Sequence, residues 1–161
     1  LQFLRAYFSS HSPQSVHPHL KSLNPLIFKA IKEKNAKIAA DALRVGCALV
    51  PILRSEGFDA KPFLKDFFTP TLEKLKTADT EVDVKETSIT CMALLISHFA
   101  TEFKSELPSV IDILNERVNN EITAAAALRA FETLSSMKNR VELGNSLPNV
   151  VKTVSHGLSI T

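Results

Sequence analysis

The residues that could do chemistry in this chain are its five histidines, its two cysteines and a few paired carboxylates. His17 and His19 flank Pro18. A His-X-His pair can offer zinc two nitrogens, yet zinc takes three or four protein ligands, and no cysteine or carboxylate lies near this pair in sequence. The pair reads as a solvated helix entrance. His98 follows Ile96 by two positions in an apolar helical run and reads as a hydrogen-bonded, partly buried residue, not a general base. His11 and His156 fall in loop-like or terminal sequence. Cys47 and Cys91 each sit inside an apolar helical pattern, as reduced core thiols do. Glu81 and Asp83 form a carboxylate pair at a helix start, where the helix dipole favours negative charge. The chain has no Gly-X-Ser-X-Gly elbow, no Gly-rich phosphate loop and no His-Glu-X-X-His motif. We therefore expect no catalytic residue, no cofactor and no metal, and look for function in a surface.

The elements that would carry such a surface repeat. Pro18, Pro62, Pro108 and Pro148 each open an amphipathic run, at intervals of 44, 46 and 40 residues. Proline suits a first helical turn, where its missing N–H has no partner to lose. Each interval holds two helical patterns, which predicts pairs at 17–33 with 36–54, 61–77 with 83–104, and 107–119 with 122–137, then a partial unit at 147–161. A second proline, Pro25 or Pro70, follows seven or eight residues after the opening one and predicts a bend. The second helix of each pair follows Asn35, Asp83 or Asn120, which are expected N-caps, with Leu43, Cys91 and Leu128 eight residues on. Ala39-Ala40-Asp41-Ala42-Leu43-Arg44 nearly recurs as Ala124-Ala125-Ala126-Ala127-Leu128-Arg129, and its small residues allow close helix approach. In the second unit Val84, Ser88, Cys91, Met92, Leu95 and Phe99 share one helical face. No segment alternates with period two, so no strand is expected.

A period of about 40–47 residues made of helix pairs is the signature of HEAT or armadillo repeats. The predicted fold is all-α: a right-handed solenoid of stacked antiparallel HEAT pairs, about three full repeats with partial ones at both ends. Apolar residues crowd the opening run (Leu1, Phe3, Leu4, Tyr7, Phe8) and the closing one (Leu147, Val150, Val151, Val154, Leu158), where a terminal repeat would show a polar cap. This predicts that residues 1–161 are an internal segment of a longer row. The composition fits: 45% hydrophobic, 22% charged, only 4 glycines. A net charge of +2, from 19 basic and 17 acidic residues, gives no footprint for nucleic acid or an anionic membrane. The uncharged stretch from Thr87 to Thr101 is too short to cross a bilayer.

Particular strings go beyond the generic repeat. They are Ser9-Ser10-His11-Ser12-Pro13-Gln14 followed by His17-Pro18-His19, then Phe58-Asp59-Ala60-Lys61-Pro62-Phe63, then Val82 through Met92, and then Leu107-Pro108 with Asn120-Glu121-Ile122-Thr123. In this order and spacing they resemble the middle of the cullin-associated, neddylation-dissociated proteins, over nearly the whole chain. Members commonly continue Glu-Ile-Thr with Arg-Leu, where this chain has Ala124-Ala125. The resemblance implies a long HEAT solenoid that wraps unneddylated cullin–RING ubiquitin ligase scaffolds and exchanges their substrate receptors, in cytoplasm and nucleus. Its partner would be a protein, with no small-molecule substrate. The competing readings are a HEAT adaptor of another class, such as a nuclear transport receptor or phosphatase scaffold, and an enzyme, which a polar pocket of converging titratable groups would support.

In HEAT stacks the second helices line the concave face, so their polar stripe is the expected partner-binding surface: Lys37, Asp41, Arg44, Lys85, Glu86, Arg129 and Glu132. Its basic members would steer an acidic patch into register. Beneath the stripe, Leu43 and Leu128 are expected in the core, so that aspartate at either position would unfold the chain.

Overall fold

The computed structural model describes residues 1–77, 81–136, 151, 152 and 155. Eight α-helices have both ends among the described residues: α1 (Gln2–Ser10), α2 (Pro13–Val16), α3 (Leu20–Lys32), α4 (Ala36–Leu53), α5 (Lys61–Lys76), α6 (Val82–Phe99), α7 (Leu107–Val118) and α8 (Ala124–Ser135), with a 3-10 turn at His17–His19 between α2 and α3. No strand occurs among the described residues. The expected partial unit at 147–161, including Pro148, falls almost wholly outside them.

Helices α4, α6 and α8 pack side by side in one row, and α1 joins it against α4; α3, α5 and α7 form a second, outer row. Within each pair α3 packs on α4, α5 on α6 and α7 on α8. The first row is the tighter of the two, which curves the stack toward α4, α6 and α8. Small side chains make that closeness possible: Ala39, Ala40, Ala42, Gly46, Ala93, Ala126, Ala127 and Ala130 are all buried in these helices. This is the all-α HEAT-like solenoid that the proline and alanine spacing predicts.

Helix starts follow local chemistry in part. Asn35 caps α4 by accepting the Ile38 N–H at 3.2 Å. Pro62 and Pro108 sit in the first turns of α5 and α7. Pro18 does not start the first long helix. It lies in the 3-10 turn, and the helical path opens earlier, at Pro13. Asp83 and Asn120 are not N-caps. The cap positions are Glu81 and Thr123, neither with a side-chain cap bond. Asn120 instead accepts the Ile122 N–H at 3.0 Å within the preceding turn. The expected helix over 83–104 ends at Phe99, and residues 100–106 form turns.

The shifted caps move the register of the core. Eight residues past the observed caps come Leu43, Ile89 and Phe131, and all three are buried. Leu128 lies only five residues past Thr123, one turn short of the Leu43-equivalent site and rotated to its flank, and is half-buried, packed at the edge of the core. The stripe from Val84 through Phe99 is buried as its periodicity requires.

Two ties recur between repeats. Lys74 of α5 donates to the carbonyl of Glu33 at the end of α3, at 2.9 Å. Arg117 of α7 donates to the carbonyl of Leu75 near the end of α5, at 2.8 Å. Each brings a cation to the orphan carbonyls at the C-terminal end of the outer-row helix before it.

Candidate protein-binding face

The inner row sets its polar residues by helical spacing along α4, α6 and α8. Arg44 of α4 is the centre of the arrangement. It pairs with Asp41 one turn earlier at 3.0 Å and with Asp83 on the first turn of α6. The hydrogen bond to Asp83, more than that to Asp41, holds the Arg44 guanidinium above its ordinary pKa. The pair is solvent-exposed enough that its contribution is modest, and it bridges two neighbouring repeats.

A groove of about 490 Å³ opens between these helices and α1, lined by Arg5, Arg44, Cys47, Asp83, Glu86 and Arg129 together with small and hydroxyl side chains. A second groove continues it between α1 and α4, over Arg5, Asp41 and Arg44. Of the stripe read from sequence, Arg44, Glu86 and Arg129 meet in the first groove and Asp41 lines the second. Lys37, Lys85 and Glu132 line neither. Sequence reading missed Arg5, Asp83, Thr87 and Thr90. The last three share with Glu86 a spacing of three, four and seven residues, the pattern of one helix face. Arg5 had no such signal, since only the packing of α1 on α4 brings it here.

The threonine hydroxyls of this face are turned back onto their own helix. Thr87 and Thr90 donate to the carbonyls of Asp83 and Glu86, four residues back in their own helix. Cys47 is half-buried and lines the groove, a correction to its expected place in the core, whereas Cys91 is fully buried behind it. Burial pushes the Cys91 thiol well up, while its hydrogen bond lowers that of Cys47, with Arg5 and Arg44 adding to the effect. Arg5 and Arg129 pair with no carboxylate among the described residues. The face therefore offers two uncommitted guanidiniums on either side of a neutralised Arg44–Asp83 bridge.

The histidines differ in their surroundings, and His11 and His19 are exposed. His17 is not a solvated entrance: its Nε2 meets Ser55 Oγ at 2.9 Å, and its ring stacks on Phe58 at 4.1 Å. It joins the start of one repeat to the end of α4. Ser55 donates to the Ile52 carbonyl at 2.6 Å. His98 is half-buried, and burial, then Arg54, lowers its pKa. His156 lies outside the described residues. Among the described residues no group of three or more His, Cys, Asp or Glu side chains is placed to hold a metal ion, and no helix is long and apolar enough to cross a membrane.

Comparison with known proteins agrees with this architecture. The family described as CAND1-like, TPR repeats matches residues 1–92. The chain is 35% identical over 155 residues to Cullin-associated NEDD8-dissociated protein 1 of Arabidopsis thaliana and 32% over 158 residues to the protein of that name in Drosophila melanogaster; each alignment covers 94% of this chain and 13% of the relative. It is 30% identical over 147 residues to Cullin-associated NEDD8-dissociated protein 2 of Mus musculus, covering 89% of this chain and 12% of that protein. The chain thus spans about an eighth of the length of these curated relatives. With its paired helices at HEAT-like spacing and its sequence likeness along nearly all its length, the chain belongs to the CAND1-like repeat family.

Proposed function

We propose that this chain is a protein-binding segment of a cullin-associated scaffold, one that engages unneddylated cullin–RING ubiquitin ligases and takes part in exchanging their substrate receptors. The observation that carries the reading is the likeness, along 94% of this chain, to proteins named for their association with cullins. The inner row supplies a fitting surface. Arg5 and Arg129 stand free on the groove between α1, α4, α6 and α8, and uncommitted guanidiniums suit bidentate pairing with carboxylates on a partner.

The mechanism needs no catalysis. A stack of repeats bends through small rotations at each interface, so one region can release while another holds, and two ligands then compete through coupled free energies. On this reading the chain works as part of a longer internal row, in cytoplasm and nucleus. Its Arg44–Asp83 bridge and the Lys74 and Arg117 ties limit how far adjacent repeats can turn.

Titration of the chain against a purified unmodified cullin–RING scaffold, repeated with the neddylated form, tests this. Binding that weakens on neddylation, and weakens again in an Arg5→Glu/Arg129→Glu variant, is the expected result. Equal binding to both forms, or binding only to a phosphatase core or a transport GTPase, would overturn it in favour of another HEAT adaptor class.

A further inference from the structure

The outer row carries a groove of its own, of about 630 Å³, between α3 and α5, on the opposite side of the stack from the inner face. Its rim holds Lys21, Lys29 and Lys32 from α3 and Lys65 from α5, against the single carboxylate Asp66. None of these five forms an ion pair among the described residues. Four cations crowded on one groove repel one another, and an anionic ligand relieves that repulsion.

The floor of the groove has a different character. Asn24 lines it and is 2% exposed, yet neither its Nδ2 nor its Oδ1 has a hydrogen-bond partner. Buried amides are nearly always paired, because leaving them unpaired forfeits the hydration they lost on folding. Two prolines add to this. Pro25 and Pro70 line the same groove inside α3 and α5. Neither can donate to the carbonyl four residues before it, and those carbonyls belong to Lys21 and Asp66, which also line the groove.

We propose that this outer groove binds an extended acidic peptide segment of a partner protein. The rim matches acidic side chains. The floor matches a peptide backbone, which offers both N–H donors and C=O acceptors, as the two sides of the Asn24 amide require once the side chain turns toward the ligand. A bare polyanion offers acceptors only and would leave Asn24 Oδ1 and the proline-released carbonyls unmatched. The groove runs along helices of 13 and 16 residues, a length of about 20 Å that about six extended residues span. This site is independent of the cullin reading, since it uses the other row of helices.

The test uses a fluorescein-labelled decapeptide of alternating glutamate and alanine, followed by anisotropy at low salt, with an alternating glutamine–alanine twin and inorganic tripolyphosphate as comparison probes. The glutamate peptide should bind and the glutamine twin should not, and backbone amide shifts should map to residues 21–32 and 62–70. Lys29→Glu/Lys65→Glu, at two exposed positions, should weaken binding by about tenfold or more. Asn24→Leu should keep the melting temperature and still lose affinity for the peptide while tripolyphosphate binding is unchanged. Shifts confined to the inner face, equal binding of the glutamine twin, or unchanged affinity in the lysine variant would each overturn the proposal. Loss of peptide in the lysine variant with no effect of Asn24→Leu would reduce the site to unspecific anion attraction and overturn it as a peptide groove.

Discussion

Gly46 of α4 lies against the ring of Phe67 in α5, and an added methyl group there has a calculable consequence. A Cβ at position 46 would stand 2.1 Å from Cζ and 2.4 Å from Cε2 of Phe67, where ordinary contact begins at 3.4 Å. The ring must retreat by more than an ångström. It has little room to do so, because Phe67 is fully buried and stacks with Phe28 at 5.9 Å. Overpacking of this severity costs about 3 kcal/mol. Replacing a mid-helix glycine by alanine returns about 1 kcal/mol of helix propensity. The net for Gly46→Ala is a loss of about 2 kcal/mol, or a melting temperature roughly 4–8 °C lower for a chain of this size. Thermal denaturation followed by circular dichroism reads it directly. Phe67→Leu should rescue the alanine variant, with a coupling of about 1 kcal/mol or more in a double-mutant cycle. If Gly46→Ala melts at or above the parent temperature, helix propensity outweighs the contact, and the close approach of α4 and α5 at this point is wrong.

Other expectations follow from particular side chains. Leu43→Asp places a carboxylate at a fully buried site and should abolish the cooperative melt, whereas Leu128→Asp, at the half-buried edge, should cost only about 1–2 kcal/mol and keep it; urea titrations of the two separate the cases. Arg117→Ala removes the tie to the Leu75 carbonyl and should lower stability by about 1 kcal/mol, seen as a shift in the urea midpoint without change in slope. His98 has a pKa below 6.5 in the folded chain, so the unfolded chain takes up its proton first on acidification. Stability contributed at this site is complete above the unfolded value, falls as pH drops through 6.5, and levels off below the folded value; His98→Gln should remove that part of the slope in denaturation midpoints measured between about pH 7.5 and 5.

By itself the sequence determined the period, the helix pairs and the apolar faces. Those depend on local rules: proline in a first turn at Pro62 and Pro108, an Asn35 cap, and apolar side chains every three to four residues from Val84 to Phe99. The same local rules misplaced the starts at Pro18, Asp83 and Asn120, where more than one polar residue or proline was available and only the packed helix selects among them. That error propagated into the core: three residues of offset leave a helix position about 60° off in direction, enough to put Leu128 at the edge of the core and Phe131 in the place it was read to fill. The inner stripe was legible in part for the same reason: Arg44, Glu86 and Arg129 follow from periodicity along single helices. What periodicity cannot supply is how one helix is rotated and shifted against the next. Tertiary structure alone decided that Asp83 reaches Arg44, that α1 delivers Arg5 to the same groove, that Phe67 rests on Gly46, and that Asn24 is sealed among lysines without a partner. Arg44 and Asp83 are 39 positions apart, Arg5 and Arg44 also 39, and Gly46 and Phe67 21, and only the close packing of one helix on another brings them within reach.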